Sequence, residues 1–233
     1  MSICVDAKNL IFERKFEEAS RLFSAAVDCY EETNLPQGGP LIVDLWSQRA
    51  GALNKANKYE ESLKDSARAI YYKGDCREAW LEKAKSLHGL RRYEEARDEL
   101  EELMGTWGGG DEAIRSSYNK AVFECRKSNR VDYYELLGVG KVASEMEIKK
   151  QYKKRALELH PDKQDTEEDK KACEEKFKLL GECLEILCDQ FKRDLYDEGY
   201  DKESIEERVQ AANRAAHHQH HDGKGYHHNY YHK

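Results

Sequence analysis

The chain of 233 residues is long enough for two domains, each with its own core, and 36% of its residues are charged. Its net charge of −7 argues against nucleic-acid binding, which requires a basic excess. No apolar run approaches the ~20 residues that span a membrane, and the start of the sequence lacks a secretory signal pattern. These features predict a protein of the cytosol or nucleus that binds neither nucleic acid nor membrane.

The cysteines and the overall composition narrow the fold class. The seven cysteines are odd in number and none stands in a Cys-x-x-Cys pair. They therefore indicate free thiols rather than zinc ligands or disulfides. Only three prolines occur, and good helix formers dominate. The composition predicts an all-α fold with no cofactor and no metal.

The first half of the chain repeats itself at a constant spacing. Trp46 aligns with Trp80, and residues 59–62 align with residues 93–96 in the same register. An earlier copy aligns at a longer spacing, and the nine additional residues fall in a Gly- and Pro-containing segment, 34–40, that predicts a loop. Small residues in each copy let two helices approach closely, and large ones fill the space to the next copy. About three such copies are needed to bury a continuous core.

These copies resemble the tetratricopeptide repeat. They lie near residues 2–33, 43–75 and 77–109, so we expect residues 1–110 to form a helical solenoid. Residues 111–130 follow a glycine run and predict a connecting helix that covers the end of the stack. The resemblance implies a groove that holds a peptide or protein ligand, which the sequence does not identify.

Some tetratricopeptide repeats bind the acidic tails of heat-shock chaperones through a clamp of basic and asparagine side chains. By repeat position, that clamp falls on Cys4 and Lys8, on Gln48, and on Glu78 and Glu82 in the third copy. The third copy offers two anions where the clamp needs two cations. Because like charges repel, we expect these repeats not to bind such a tail.

A different pattern begins at Val131. Asp132 to Val139 predicts a short helix stopped by Gly138, and Ser144 with Glu147 forms a capping box for a longer one. That helix has apolar residues on one face and four lysines on another, and Pro161 ends it. Residues 163–169 predict an exposed loop, before a helix whose apolar stripe packs against an antiparallel partner.

This second pattern resembles the DnaJ family, and the tripeptide His160-Pro161-Asp162 stands in the loop between the two long helices. The other matching segments, in family order, are residues 132–139, 147–154, 159–163, 176–178, 192–193 and 196–197. The resemblance implies a J domain over residues 131–201, with a helical hairpin at its centre. It also implies a co-chaperone, not itself an enzyme, that stimulates ATP hydrolysis by a DnaK-type 70-kDa heat-shock chaperone. Repeats followed by a J domain resemble the C-terminal part of cytosolic tetratricopeptide–J proteins.

Carried over by position, the resemblance assigns three groups of chaperone-binding residues. His160, Pro161 and Asp162 form the trigger, and Asp162 suits pairing with an arginine of the partner. The remaining two groups are the steering face, Lys149, Tyr152, Lys153 and Lys154, and the rim contacts, Asp189, Lys192 and Arg193.

Residues 202–233 predict a polar helix, from Glu203 to Ala216 with few apolar anchors, and then a disordered His-rich tail. Seven histidines stand within positions 217–232, and histidine tracts of this kind bind transition metals in solution. Two alternative functions therefore stay open. The alternatives to the co-chaperone are a scaffold of tetratricopeptide repeats with an inactive J domain, and a metal-responsive protein that uses its tail.

Overall fold

The computed structural model describes residues 2–33, 35–36, 38–107, 109–159 and 167–221. Within these residues the chain forms twelve α-helices and no strand, which confirms the all-α fold class. The chain divides into two compact units, Met1–Cys125 and Arg126–Lys233. None of the described helices combines the length and the apolar character needed to cross a bilayer. The helices of the first unit are α1 Ser2–Phe12, α2 Phe16–Glu31, α3 Pro40–Lys55, α4 Tyr59–Tyr72, α5 Arg77–Gly89, α6 Tyr93–Trp107 and α7 Glu112–Asn129, which continues into the second unit.

Helices α1 to α6 form three helix-turn-helix hairpins whose turns are alike. The turn residues Arg14, Asn57 and Arg91 have φ angles of 62°, 60° and 59°. The residue after each turn donates its backbone N–H to a leucine carbonyl five residues earlier: Lys15 to Leu10 at 2.8 Å, Lys58 to Leu53 at 2.9 Å and Arg92 to Leu87 at 2.9 Å. The same turn geometry therefore recurs in all three hairpins, and the two spacings seen in the sequence are the distances along the chain between successive turns.

The cores of the hairpins combine alanines with large side chains. Ala19, Ala69 and Ala79 are fully buried beside Phe23 and Trp46, so the helix backbones approach closely where the side chains are small. Polar groups also cross this core. The hydroxyl of Ser86, which is fully buried, donates to the side-chain oxygen of Asn54 at 2.9 Å, so this buried polar pair is satisfied.

The second unit contains residues 126–129 of α7 and the rest of the chain. Its other helices are α8 Tyr133–Leu137, α9 Glu145–Glu158, α10 Glu167–Leu187, α11 Gln190–Glu198 and α12 Lys202–His221. Helix α10 contacts α8, α9 and α11. Its fully buried residues Leu180, Cys183 and Leu187 form the centre of the core. At Cys183 this burial raises the pKa of the thiol to about 12.

Two helices are longer than the sequence pattern predicts. Helix α10 begins at Glu167, inside the segment predicted to be a loop. Helix α12 continues to His221, five residues beyond the predicted end at Ala216, because no glycine or proline interrupts it before Gly223. The rest of the predicted disordered tail, residues 222–233, lies outside the described residues.

Helix α12 packs on the core of the second unit through two apolar side chains, one fully buried and one half-buried. Ile205 is fully buried, and Val209 packs against the same cluster. Lys202 forms an ion pair with Glu182 of α10 at 2.8 Å. The helix is polar over most of its length, as its sequence predicts, but its apolar anchors join it to the same core as α10.

Candidate functional site

Helix α9 begins at a capping box. The Ser144 hydroxyl accepts the backbone N–H of Glu147 at 3.3 Å, and the Glu147 carboxylate accepts the Ser144 backbone N–H at 2.8 Å. The bonds from the Ser144 backbone and hydroxyl lower the pKa of Glu147 because they stabilise its charged form. The box fixes where the helix starts, and therefore which of its side chains point to the core.

The predicted steering face divides into buried, paired and unpaired side chains. Tyr152 is half-buried and packs against the core next to the fully buried Ile148. The exposed Lys149 forms an ion pair with Glu145, which raises its pKa. Lys153 and Lys154 are both exposed, and they have no ion pair with a carboxylate of the described residues. Lys150 is likewise exposed without an ion pair to a described carboxylate, so Lys150, Lys153 and Lys154 present the unneutralised charge of the helix.

The predicted trigger, His160-Pro161-Asp162, lies outside the described residues. Leu159, the last described residue before it, donates its backbone N–H to the Arg155 carbonyl at 2.9 Å and packs against the core. Helices α9 and α10, which precede and follow residues 160–166 in the chain, contact each other.

The predicted rim residues make contacts within the unit itself. The Asp189 side chain caps α11 by accepting the backbone N–H of Lys192 at 3.0 Å. The Lys192 ammonium forms an ion pair with Glu185, and its side chain is only 18% exposed. Arg193 donates to the Tyr134 hydroxyl at 3.1 Å and to the Lys141 carbonyl at 3.0 Å. In this structure Asp189 caps the start of α11, whereas Lys192 and Arg193 join that helix to its neighbours.

A network of tyrosines joins α8 to α11 in the second unit. The Tyr196 hydroxyl accepts the backbone N–H of Tyr133 and donates to the Val131 carbonyl, both at 2.9 Å. The two tyrosine rings stack with centroids 4.7 Å apart, and the Arg130 guanidinium lies 4.0 Å from the Tyr196 centroid. The Tyr134 hydroxyl donates to Asp197 at 2.8 Å. The sequence places these residues in matching segments but does not show that they are partners.

In the first unit the predicted groove residues differ in how much of their charge is available. Glu78 is exposed. Glu82 is only 17% exposed at its side chain, where its carboxylate forms an ion pair with Lys85 at 2.7 Å and accepts a hydrogen bond from Asn54 at 2.9 Å. The Gln48 amide donates to the carboxylate of Asp44, a further acid that the sequence reasoning missed. Asp44 and Glu78 stand at equivalent repeat positions, two residues before Trp46 and Trp80 respectively.

Metal ligation was one alternative for the tail. The described residues contain no group of three or more His, Cys, Asp or Glu side chains arranged to hold a metal ion. The side chains of the histidine tracts, from His217 onwards, lie outside the residues whose side chains the structure describes.

Comparison with known proteins identifies the second unit. The DnaJ domain family matches residues 132–197. The Dictyostelium discoideum DnaJ homolog subfamily C member 7 homolog is 33% identical over 190 residues, covering 80% of this chain and 35% of that protein. Human DnaJ homolog subfamily C member 7 is 36% identical over 159 residues, covering 67% of this chain and 32% of that protein. The chain therefore spans about a third of the length of these curated relatives.

Among solved structures, the second TPR domain of the human RPAP3 protein, in complex with the HSP70 peptide SGPTIEEVD, matches with a TM-score of 0.44 and 22% identity. That match covers 52% of this chain and 92% of the other. The DnaJ homologs of subfamily C, by contrast, align across both the repeats and the domain that follows them. The chain thus contains a DnaJ domain after its tetratricopeptide repeats, and it is similar over most of its length to DnaJ homologs of subfamily C.

Proposed function

We propose that this chain stimulates ATP hydrolysis by a DnaK-type 70-kDa heat-shock chaperone through a J domain at residues 131–201. The repeats at residues 1–110 then act as a protein-interaction module, residues 111–130 connect the two, and the chain itself is not an enzyme. The observation that carries this proposal is the pair of unpaired, exposed lysines, Lys153 and Lys154, one to two turns before His160. A cation without an internal partner is free to attract the surface of another protein.

The proposed mechanism is a shift in population. The basic face of α9 steers the two proteins together, and the connection with His160, Pro161 and Asp162 then contacts the chaperone. Docking favours the arrangement of the chaperone that hydrolyses ATP, because that arrangement binds the J domain more tightly. No covalent chemistry is required of this chain.

The predicted binding residues take unequal parts in this mechanism. Lys153 and Lys154 act as steering charges, whereas Lys149 must first give up its pair with Glu145. Tyr152 supports the face from the core side. The rim residues Asp189, Lys192 and Arg193 act as positioning residues, since their polar atoms already bond within the domain.

We infer that the chain works in the cytosol or nucleus, where DnaK-type chaperones of those compartments are its partners. The ligand of the repeat groove is a separate protein or peptide. The acids of the groove, exposed at Asp44 and Glu78, favour a ligand other than an acidic chaperone tail.

A single-turnover ATPase assay with a purified DnaK-type chaperone tests the proposal. The full chain should accelerate hydrolysis, and His160→Gln should abolish the acceleration while circular dichroism and thermal unfolding stay unchanged. Lys141→Gln serves as a matched control, because Lys141 is exposed outside the α9 face. A well-folded His160→Gln variant that still stimulates hydrolysis would contradict the proposal. Absence of stimulation by the wild-type chain would favour the scaffold alternative.

A further inference from the structure

The repeat unit contains a cleft between helices α2 and α4. Its volume is about 1030 Å³, which is at the upper end of the range of about 300–1,000 Å³ typical of ligand pockets. Tyr30, Trp46 and Tyr72 line it together with Leu35 of the inter-repeat loop. Helix α3 contributes Trp46 to the cleft, but Gln48, Glu78 and Glu82, the predicted groove residues, are not among the described residues that line it.

The nine additional residues of the first repeat spacing are divided among three parts of the chain. Helix α2, the connection 32–39 and helix α3 are two, four and three residues longer than their counterparts in the next repeat. In the third repeat the connection before α5 is short, and the Trp80 indole N–H donates to the Gly74 carbonyl at 2.8 Å. In the second repeat the longer connection precedes α3. There the equivalent Trp46 indole N–H has no hydrogen-bond partner among the described residues, although Trp46 is only 5% exposed. The longer connection therefore replaces a closed junction between hairpins with an open cleft.

Aromatic rings cover one end of the cleft. Trp46 stacks on Tyr72 with ring centroids 5.6 Å apart, and Tyr72 meets Tyr71 edge-on at 5.1 Å. Tyr71 lines the cleft and is 83% exposed, and Leu35, which also lines it, is 51% exposed. Large apolar side chains left in water beside a concave surface are typical of protein-binding sites, where tyrosine and tryptophan contribute most of the binding energy.

Two cations form one wall of the cleft. Lys64 and Arg68 lie one turn apart on α4, both exposed, and neither forms an ion pair with a carboxylate of the described residues. The neighbouring Asp65 does not neutralise them, because it is 5% exposed at its side chain and accepts two hydrogen bonds from Arg49, at 2.6 and 2.7 Å. Among the described residues that line the cleft, Glu31 is the one acid, so the wall keeps a net positive charge.

The pair of cations occurs in the second repeat alone, because the equivalent positions of the first repeat carry Arg21 and Ala25. At the equivalent positions of the third repeat, α6 carries Asp98 and Glu102. The packing of a hairpin thus does not require cations there. Their presence beside the cleft favours a role in binding rather than in the repeat fold.

We propose that this cleft binds an acidic segment of a partner protein that carries an apolar or aromatic side chain beside its carboxylates. The carboxylates pair with Lys64 and Arg68, and the apolar side chain packs on Tyr71 and Leu35. Arginine and tyrosine together supply the directional charge and the large contact area that characterise binding hot spots. This surface acts independently of the J domain, so it goes beyond the proposed stimulation of ATP hydrolysis.

A random library of displayed dodecapeptides, selected on the full chain, tests the proposal. The key variant is Lys64→Asp with Arg68→Glu, which introduces the acids found at the equivalent positions of α6 and so suits the helix. The matched control is Lys58→Glu with Lys73→Glu, which changes the net charge equally at exposed positions flanking α4. Circular dichroism checks that both variants are folded.

Peptides enriched on the wild-type chain should combine Asp or Glu with apolar residues. Calorimetry with the enriched peptides should show binding at least tenfold weaker for the key variant and within about twofold of wild type for the control. Tyr71→Ala should weaken binding as well. Enrichment of basic peptides, failure to enrich any peptide, or equal binding by the key variant and the control would each overturn the proposal. Stimulation of the chaperone ATPase should be the same in all these variants, so this test and that of the J domain fail independently.

Discussion

The packing of α12 on the second unit leads to a sharp prediction about Ile205. This side chain is fully buried, in one cluster with Leu180 and Leu187 of α10. Ile205→Ala removes its outer carbons from that core and leaves a cavity. Substitutions of this kind cost about 2–5 kcal/mol of unfolding free energy. Glu207→Ala, two residues later at an exposed position, should change it by less than about 0.5 kcal/mol.

The assay must report on the second unit alone, because a chain of two units does not unfold in a single two-state transition. All three tryptophans, Trp46, Trp80 and Trp107, lie in the first unit. Tryptophan fluorescence should therefore give the same urea midpoint for Ile205→Ala as for the wild type. Hydrogen exchange at the amides of Leu180 and Leu187 reports on the core of the second unit.

A loss of about 2 kcal/mol corresponds to exchange roughly 30-fold faster at those amides, and each further loss of about 1.4 kcal/mol to another tenfold. Ile205→Val, which removes one carbon, should accelerate exchange much less. Exchange in Ile205→Ala within about threefold of the wild type would refute the packing of α12 on this core. A shift of the tryptophan midpoint would instead show that the substitution acts on the first unit.

Three further predictions concern charge. Lys153→Glu with Lys154→Glu should weaken stimulation of the chaperone ATPase, and rising salt should reduce the wild-type stimulation by screening the docking charges; a salt-independent effect would show that the lysines are only solvated. The ion pair with Arg77 lowers the pKa of Asp111 to about 2. The pair therefore stabilises the folded repeats above pH 3.8, and this contribution is lost as the pH falls toward 2. Asp111→Asn should remove that part of the acid dependence of the urea midpoint. The groove should not bind a Glu-Glu-Val-Asp peptide, so calorimetry should detect no binding by the Lys64→Asp, Arg68→Glu variant, whose cleft cannot pair with the carboxylates of the peptide; micromolar binding by that variant without Glu78→Lys would contradict the argument from groove charge.

The contacts of Glu82 show how the structure changes an experiment designed from sequence. By repeat position Glu82 is as good a target for charge reversal as Glu78. In the structure its carboxylate accepts from Asn54 and pairs with Lys85. Replacing it with arginine would break those bonds and place a cation beside a lysine, so loss of stability would obscure any gain in binding. The exposed Glu78 avoids this problem.

Residue patterns along the chain are enough to predict the fold class, the repeats and the resemblance to a J domain. Apolar residues at helical spacing, the capping box at Ser144 and the constant repeat register are local patterns, and helices are stabilised by local patterns. The match of the DnaJ domain family covers residues 132–197, the range that contains the resembling segments. For these features a reader of the sequence needs no knowledge of which distant residues meet.

The three-dimensional contacts were needed to show which charged side chains lack an ion pair and which surfaces are buried or open. Lys149 and Lys153 look alike in the sequence, but only the first has an ion pair within the part of the chain that the structure describes. The burial of Ile205 and the open cleft beside Trp46 depend on residues brought together from separate helices. The physical reason is that burial, ion pairing and hydrogen bonding depend on three-dimensional neighbours, whereas helix formation depends mainly on residues within one or two turns.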